Sequence, residues 1–215
     1  MIDQKSLTTK LNHVILIEGF QKLSMSKLAT AVGVSRASLY LYFKNKDEIV
    51  QAVVARHVKF IKEHPVPVHF ATATFLPVWL DSLLLMGSTT ETFTTELQRA
   101  YPELYQELSG AYRIYFHQLK AYVAQGQRAQ FVRDNFPADF VIFQAESLVK
   151  SVLMQVREGQ LRLDRAEVYL TATLDFQLTG LLVASVQEQL DMRQVAGFEA
   201  TILREFRETY ALISK

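Results

Sequence analysis

The stretch Ser24-Met25-Ser26-Lys27-Leu28-Ala29-Thr30-Ala31-Val32-Gly33-Val34-Ser35-Arg36-Ala37-Ser38-Leu39-Tyr40-Leu41-Tyr42-Phe43 holds two short helical patterns on either side of one glycine. Ser24 and Ser35 each stand just before a pattern, where a hydroxyl can accept from the free N–H groups of a first turn. Gly33 supplies the turn between them, so the pair has the size and spacing of a helix-turn-helix. Leu28, Ala29, Val32, Val34 and Leu39 fit the apolar contacts that would fix the angle between the two helices. In such a motif the second helix enters the major groove with its first turn against base edges, which demands small or polar side chains there. Ser35, Arg36, Ala37 and Ser38 meet that demand. Arg can donate twice to guanine, Ser can bond several base edges, and Ala can touch a thymine methyl. Tyr40, Tyr42, Lys44 and Lys46 follow with hydroxyl and ammonium groups suited to flanking phosphates.

Charge supports a polyanionic partner for this end of the chain. Over the 215 residues the net charge is only +1, yet residues 1–46 carry seven Lys or Arg against two acidic side chains. That head of +5 leaves a body of −4, the asymmetry expected when one end meets a nucleic acid.

Outward from the motif, nearly every segment has helical period and none alternates as a strand of useful length. Helices are expected at about 3–18, 24–32, 35–43, 46–64, 70–86, 91–99, 102–125, 137–158, 164–190 and 198–213, an all-α chain. The run His64-Pro65-Val66-Pro67 cannot continue a helix, because proline lacks an N–H and restricts the residue before it. A three-helix DNA-binding domain is therefore expected at 1–47 and a larger helical domain at 48–215, with the helix of about 46–64 joining them. A hydrophobic fraction of 49% suffices for a core, while no long uncharged apolar run suits a membrane span. The first twenty residues lack an export signal, and the absence of cysteine fits a cytoplasmic protein.

The residues from Gly19-Phe20 through Ser24-Met25-Ser26-Lys27-Leu28-Ala29 to Gly33-Val34-Ser35-Arg36-Ala37-Ser38-Leu39-Tyr40-Leu41-Tyr42-Phe43-Lys44-Asn45-Lys46-Asp47-Glu48-Ile49 resemble the tetracycline-repressor (TetR) family of bacterial regulators. The resemblance is strong over about residues 7–55 and looser beyond. It implies that Arg36, Ala37 and Ser38 face bases while Ser24, Tyr40, Tyr42 and Lys46 hold the DNA backbone. Lys46 would act at a helix N-terminus, which itself attracts phosphate. Leu11 departs from the family's usual alanine, and the helix after Gly197 extends past the family's usual end.

Aromatics concentrate after the prolines, where they could line an apolar pocket or simply form core. The resemblance favours a pocket, with Trp79, Tyr112, Tyr115, Phe116, His117, Leu119, Phe143, Gln144 and Ser147 as candidates for a largely apolar or aromatic effector. The helices at 137–158 and 164–190 are apolar on two sides and so need two partners each. Packing them against their copies would give a two-fold, four-helix dimer interface through Phe140, Leu148, Val152, Leu174, Leu178, Gly180, Leu181 and Ala184.

No Gly-rich phosphate loop, nucleophile elbow or H-E-x-x-H motif is present, and the five histidines include no i,i+4 pair. No enzyme activity, cofactor or metal is expected. The reading is a homodimeric repressor that binds a palindromic double-stranded operator and is released by a small-molecule effector. The alternative is a DNA-bound adaptor of the same fold that acts through protein partners without an inducer.

Overall fold

A computed structural model describes residues 2–188 and 192–210, together with all their side chains except those of Met192 and Gln194. Among these residues every regular element is helical. They are α1 (Gln4–Glu18), α2 (Met25–Ala31), α3 (Arg36–Tyr40), α4 (Lys46–Glu63), α5 (Thr72–Gly87), α6 (Glu91–Ala100), α7 (Pro102–Arg128), α8 (Ala138–Arg157), α9 (Leu163–Leu181), α10 (Ala184–Gln187) and α11 (Met192–Tyr210). No helix among the described residues is long and apolar enough to cross a membrane.

The chain forms two compact units, Met1–Glu63 with Thr89–Tyr112 and Glu208–Lys215, and His64–Ser88 with Arg113–Arg207. In the first, Leu7, Leu11, Ile15, Leu28, Leu39, Ile49, Val50 and Val53 are wholly buried in one cluster, joined by Phe93 and Leu97 of α6. Leu11 thus serves as core rather than surface. In the second, α8 packs along α9 and against α5. Phe75, Trp79, Tyr115, Leu119 and Tyr122 fill its interior.

The single helix expected at 164–190 is interrupted. It stops at Leu181, and Leu182 adopts an extended conformation before the short α10. The loop after α7 explains the break: Arg133 N–H donates to the Leu181 carbonyl at 2.6 Å, Arg133 Nε to the Leu182 carbonyl at 2.8 Å, and Val183 N–H to the Phe131 carbonyl at 3.2 Å. Backbone groups bonded outward in this way cannot close helical turns. The expected ends at Leu190 and Ile213 lie outside the described residues, whereas α11 begins six residues before the expected position at 198.

Candidate nucleic-acid interface

The two serines of the motif cap as their positions require. Ser24 Oγ accepts from Lys27 N–H at 3.3 Å, and Ser35 Oγ accepts from Ser38 N–H at 3.0 Å. The Ser35 and Ser38 hydroxyls also share a hydrogen bond of 2.8 Å. Leu39 points into the core, and Val34 packs at its edge. The opposite face of α3 is left open, with Arg36 and Ala37 exposed, Ser38 half-buried and Tyr40 41% exposed. The Arg36 guanidinium lies 5.4 Å from the centre of the Tyr40 ring, and its Nη2 lies 3.5 Å from the Tyr40 hydroxyl. A cation held over a ring loses less conformational freedom when it meets a base.

Six of the seven basic side chains in residues 1–46 are exposed, and Lys46 is the exception. Its ammonium donates to the carbonyls of Phe20, Gln21 and Leu23 at 3.0, 3.1 and 3.3 Å. A lysine has three donors, so all are engaged within the chain. Lys46 therefore holds the turn between α1 and α2, and a phosphate would have to displace at least one of these carbonyls. Tyr42 likewise donates its hydroxyl to the Ile2 carbonyl at 2.6 Å. Lys44 remains exposed, with its backbone N–H on Glu48 Oε2 at 2.7 Å, while Asn45 Oδ1 caps α4 by accepting from Glu48 N–H at 2.9 Å.

The same turn is gripped on its donor side. Glu96 of α6 accepts from Phe20 N–H at 2.6 Å and Gln21 N–H at 2.9 Å. Gly19, at φ +73°, lets the chain pass this carboxylate, since a β-carbon there would lie only 2.6 Å from its oxygens. Thr90, the N-cap of α6, donates to the Leu16 carbonyl at 2.6 Å, and Tyr101 at the end of α6 donates to Asp47 of α4. Burial and the Asp47 carboxylate push the Tyr101 phenol up to about 12. Sequence reasoning missed these α6 residues, because partners separated by 54 to 76 positions leave no local pattern.

The nine candidate effector residues stand in different surroundings within their own units. Tyr112 belongs to the first unit, where its hydroxyl meets His57 Nδ1 at 3.2 Å. His57 Nε2 meets Asn12 Oδ1 at 2.9 Å, and full burial, aided by Arg56, drives the imidazole down to about 3, so it is neutral. Trp79, Tyr115 and Leu119 are packed in the second unit, with Tyr115 Oη 3.2 Å from Ser82 Oγ. Phe116 is half-buried, whereas His117, Phe143 and Ser147 are exposed, and Gln144 accepts from Gln177 Nε2 at 2.7 Å. Among the described residues no acceptor reaches the buried indole N–H of Trp79, and no group of three or more His, Asp or Glu is placed to hold a metal.

The candidate dimer residues also divide. Val152, Leu174, Leu178 and Leu181 are under a tenth exposed within a single chain, so the surface they would offer a copy is already covered by their own unit. Leu148 is half-buried, and Phe140, Gly180 and Ala184 are exposed. The uncovered apolar positions fall in stripes beside them: Phe140, Phe143 and Met154 on α8, and Val168, Tyr169 and Phe176 on α9. The residues named from sequence thus come from both the covered and the uncovered sides of these helices.

Residues 14–53 match the family model described as bacterial regulatory proteins, tetR family. The fold is similar to that of a TetR-family transcriptional regulator from Marinobacter aquaeolei VT8, at 12% identity and a TM-score of 0.58, covering 94% of this chain and 99% of that one. It also matches the TetR-family regulator PfmR from Thermus thermophilus, at 16% identity and a TM-score of 0.48, over 86% of this chain and 100% of that one. No match was found among curated proteins. The family model falls on the helices whose open face is set out above, so residues 14–53 carry a tetR-type DNA-binding region, and the likeness of fold spans almost the whole chain.

Proposed function

We propose that the chain is a repressor that binds a palindromic double-stranded operator as a homodimer and is released by a small, largely apolar or aromatic effector. The observation that carries the DNA half is the open first turn of α3, with Arg36, Ala37 and Ser38 presented by a helix whose other side is locked into the core. Arg36 reads a base, Ser35 and Ser38 hold the helix start, and exposed Lys44 and Tyr40 face the DNA backbone with Ser24. In this reading residues 1–47 supply the DNA contacts and residues 48–215 the effector and dimer contacts, although α4 and α6 complete the core beneath the DNA-binding helices.

The outward stripes of α8 and α9 support the dimer, since large exposed aromatics such as Phe143 at 64% and Phe176 at 60% mark interaction surfaces when clustered. The unpartnered Trp79 indole N–H supports an effector. A buried donor without an acceptor costs about 1–3 kcal/mol, which a ligand oxygen beside it would recover. The adaptor reading draws on the dense packing of Trp79, Tyr115 and Leu119, each at most 1% exposed. Selecting bound sequences from a random duplex pool is expected to return an inverted repeat. Failure to retain any duplex would overturn the proposal, and an effector that shifts the melting temperature without weakening operator binding would favour the adaptor.

A further inference from the structure

In the second unit a cleft of about 50 Å³ lies beneath α11, walled by Leu83 of α5, Val149 of α8, Leu170 and Leu174 of α9, and Ile202 and Leu203 of α11. Polar groups enter from Thr171, Thr173 and Glu199. The hydrogen bonds already made there decide what the cleft can still accept. Thr173 donates its hydroxyl to the Tyr169 carbonyl at 2.7 Å. Thr171 donates its hydroxyl to Glu199 Oε1 at 2.5 Å. Both O–H groups are thereby committed, and a carboxylate is an acceptor only. What remains is acceptor capacity, namely the Glu199 oxygens and the hydroxyl lone pairs.

Lys, Arg and His are all missing from the lining. Arg207, two turns along α11 from Glu199, is held by both oxygens of Glu167 at 2.5 and 2.8 Å. An anion would find no donor and a like charge, while a neutral acceptor would leave its lone pairs unmet. A cationic donor on an apolar body satisfies walls and carboxylate together.

We propose that this cleft binds small organic cations of the alkylammonium class, with the charged head against Glu199 and Thr171 and the alkyl part against the leucines. A volume of about 50 Å³ admits only a few water-sized groups, which points to a short chain. The inference goes beyond the repressor reading, because it concerns binding and stands whether or not binding releases DNA.

The test uses the full-length protein with methyl-labelled Leu, Val and Ile, titrated with n-butylammonium chloride, 1-butanol and sodium butyrate at matched ionic strength. Saturating methyl shifts at Leu83, Val149, Leu170, Leu174, Ile202 and Leu203 are expected with butylammonium, at an affinity about tenfold or more above that for butanol, as a charge-assisted hydrogen bond implies. Glu199→Gln should cut that preference to about threefold or less while leaving the alcohol's affinity unchanged. Equal affinity for cation and alcohol, saturation by butyrate at a similar concentration, absence of saturating shifts, or a preference that survives in a folded Glu199→Gln would each overturn the proposal. Should that variant not fold, Leu170→Phe, which narrows the cleft from α9, is expected to abolish the shifts, and shifts that persist would overturn it as well. Operator affinity measured with and without butylammonium bears on the repressor reading alone.

Discussion

The helix-turn-helix and the α8–α9 pair are both helical hairpins with a buried and an open side, yet they carry function differently. In the helix-turn-helix the polar residues that start the two helices act on neighbours: Ser24 and Ser35 each cap the helix that begins one residue later. Leu28 and Leu39 are buried, and the exposed residues between them have no alternative side to face. In α8 and α9 apolar residues occupy both sides, so which side is inner depends on α5 and on the loop at 131–133 rather than on the helices themselves. The lesson is that polar residues with short-range partners announce their roles, while apolar residues on a two-sided helix do not.

The largest effect is expected from striking the outer stripe. Phe176→Glu should convert the proposed dimer to monomer at micromolar concentration and reduce operator affinity more than a hundredfold, since it buries a charge without a partner twice in one interface. Sedimentation equilibrium with a gel-shift titration reads both. Leu178→Ala, on the inner side, should instead lower stability by about 2–5 kcal/mol and leave association intact once folded. A reversal of these two outcomes would break the distinction between the faces.

Lys46 sharpens the comparison from the DNA side. A phosphate contact alone would make Lys46→Ala lower the salt dependence of binding without altering stability. The three carbonyls on its ammonium lead us to expect a loss of about 1.5–3 kcal/mol in urea melts, because hydrogen bonds to charged groups are worth that much. Glu96→Gln should act in the same direction and more weakly, since the amide keeps one acceptor for the N–H groups of Phe20 and Gln21.

Arg36→Ala is expected to cost about 1–3 kcal/mol of operator binding and to relax preference at one base pair in each half-site. Melting temperature should not move, because the side chain is exposed. Binding titrations on single-base operator variants would show this.

The last effect concerns pH. Burial depresses the folded-state pKa of His57 to about 3 from 6.5, so the unfolded chain binds the extra proton between those values. The contribution of neutral His57 is thus complete above about pH 6.5 and is lost as pH falls toward 3, at about 1.4 kcal/mol per pH unit. Urea melts between pH 7 and pH 5 should show this slope in the wild type and a reduced one in His57→Gln.

Much of the site was legible before any coordinates. Caps, the turn at Gly33, the basic head and the break at Pro65 and Pro67 are local signals, and each concerns residues within a few positions of one another. The effector candidates fared differently: Tyr112 lies three residues from Tyr115 on α7, but its hydroxyl serves buried His57 in the first unit while that of Tyr115 meets Ser82 in the second. Helical period alone could not separate them, since both sit on apolar faces of one helix.

By itself the sequence determined the helical class, the helix-turn-helix and the residues on its open face, because capping, turn geometry and amphipathic period act over one or two helical turns. Only the tertiary structure decided that Lys46 and Glu96 grip one turn from opposite sides, that α9 ends at Leu181, and that Glu199 stands among leucines. Those outcomes join residues 23 to more than 100 positions apart, and a charge or a carbonyl finds its partner at such distances only after the packing of apolar faces has brought the helices together.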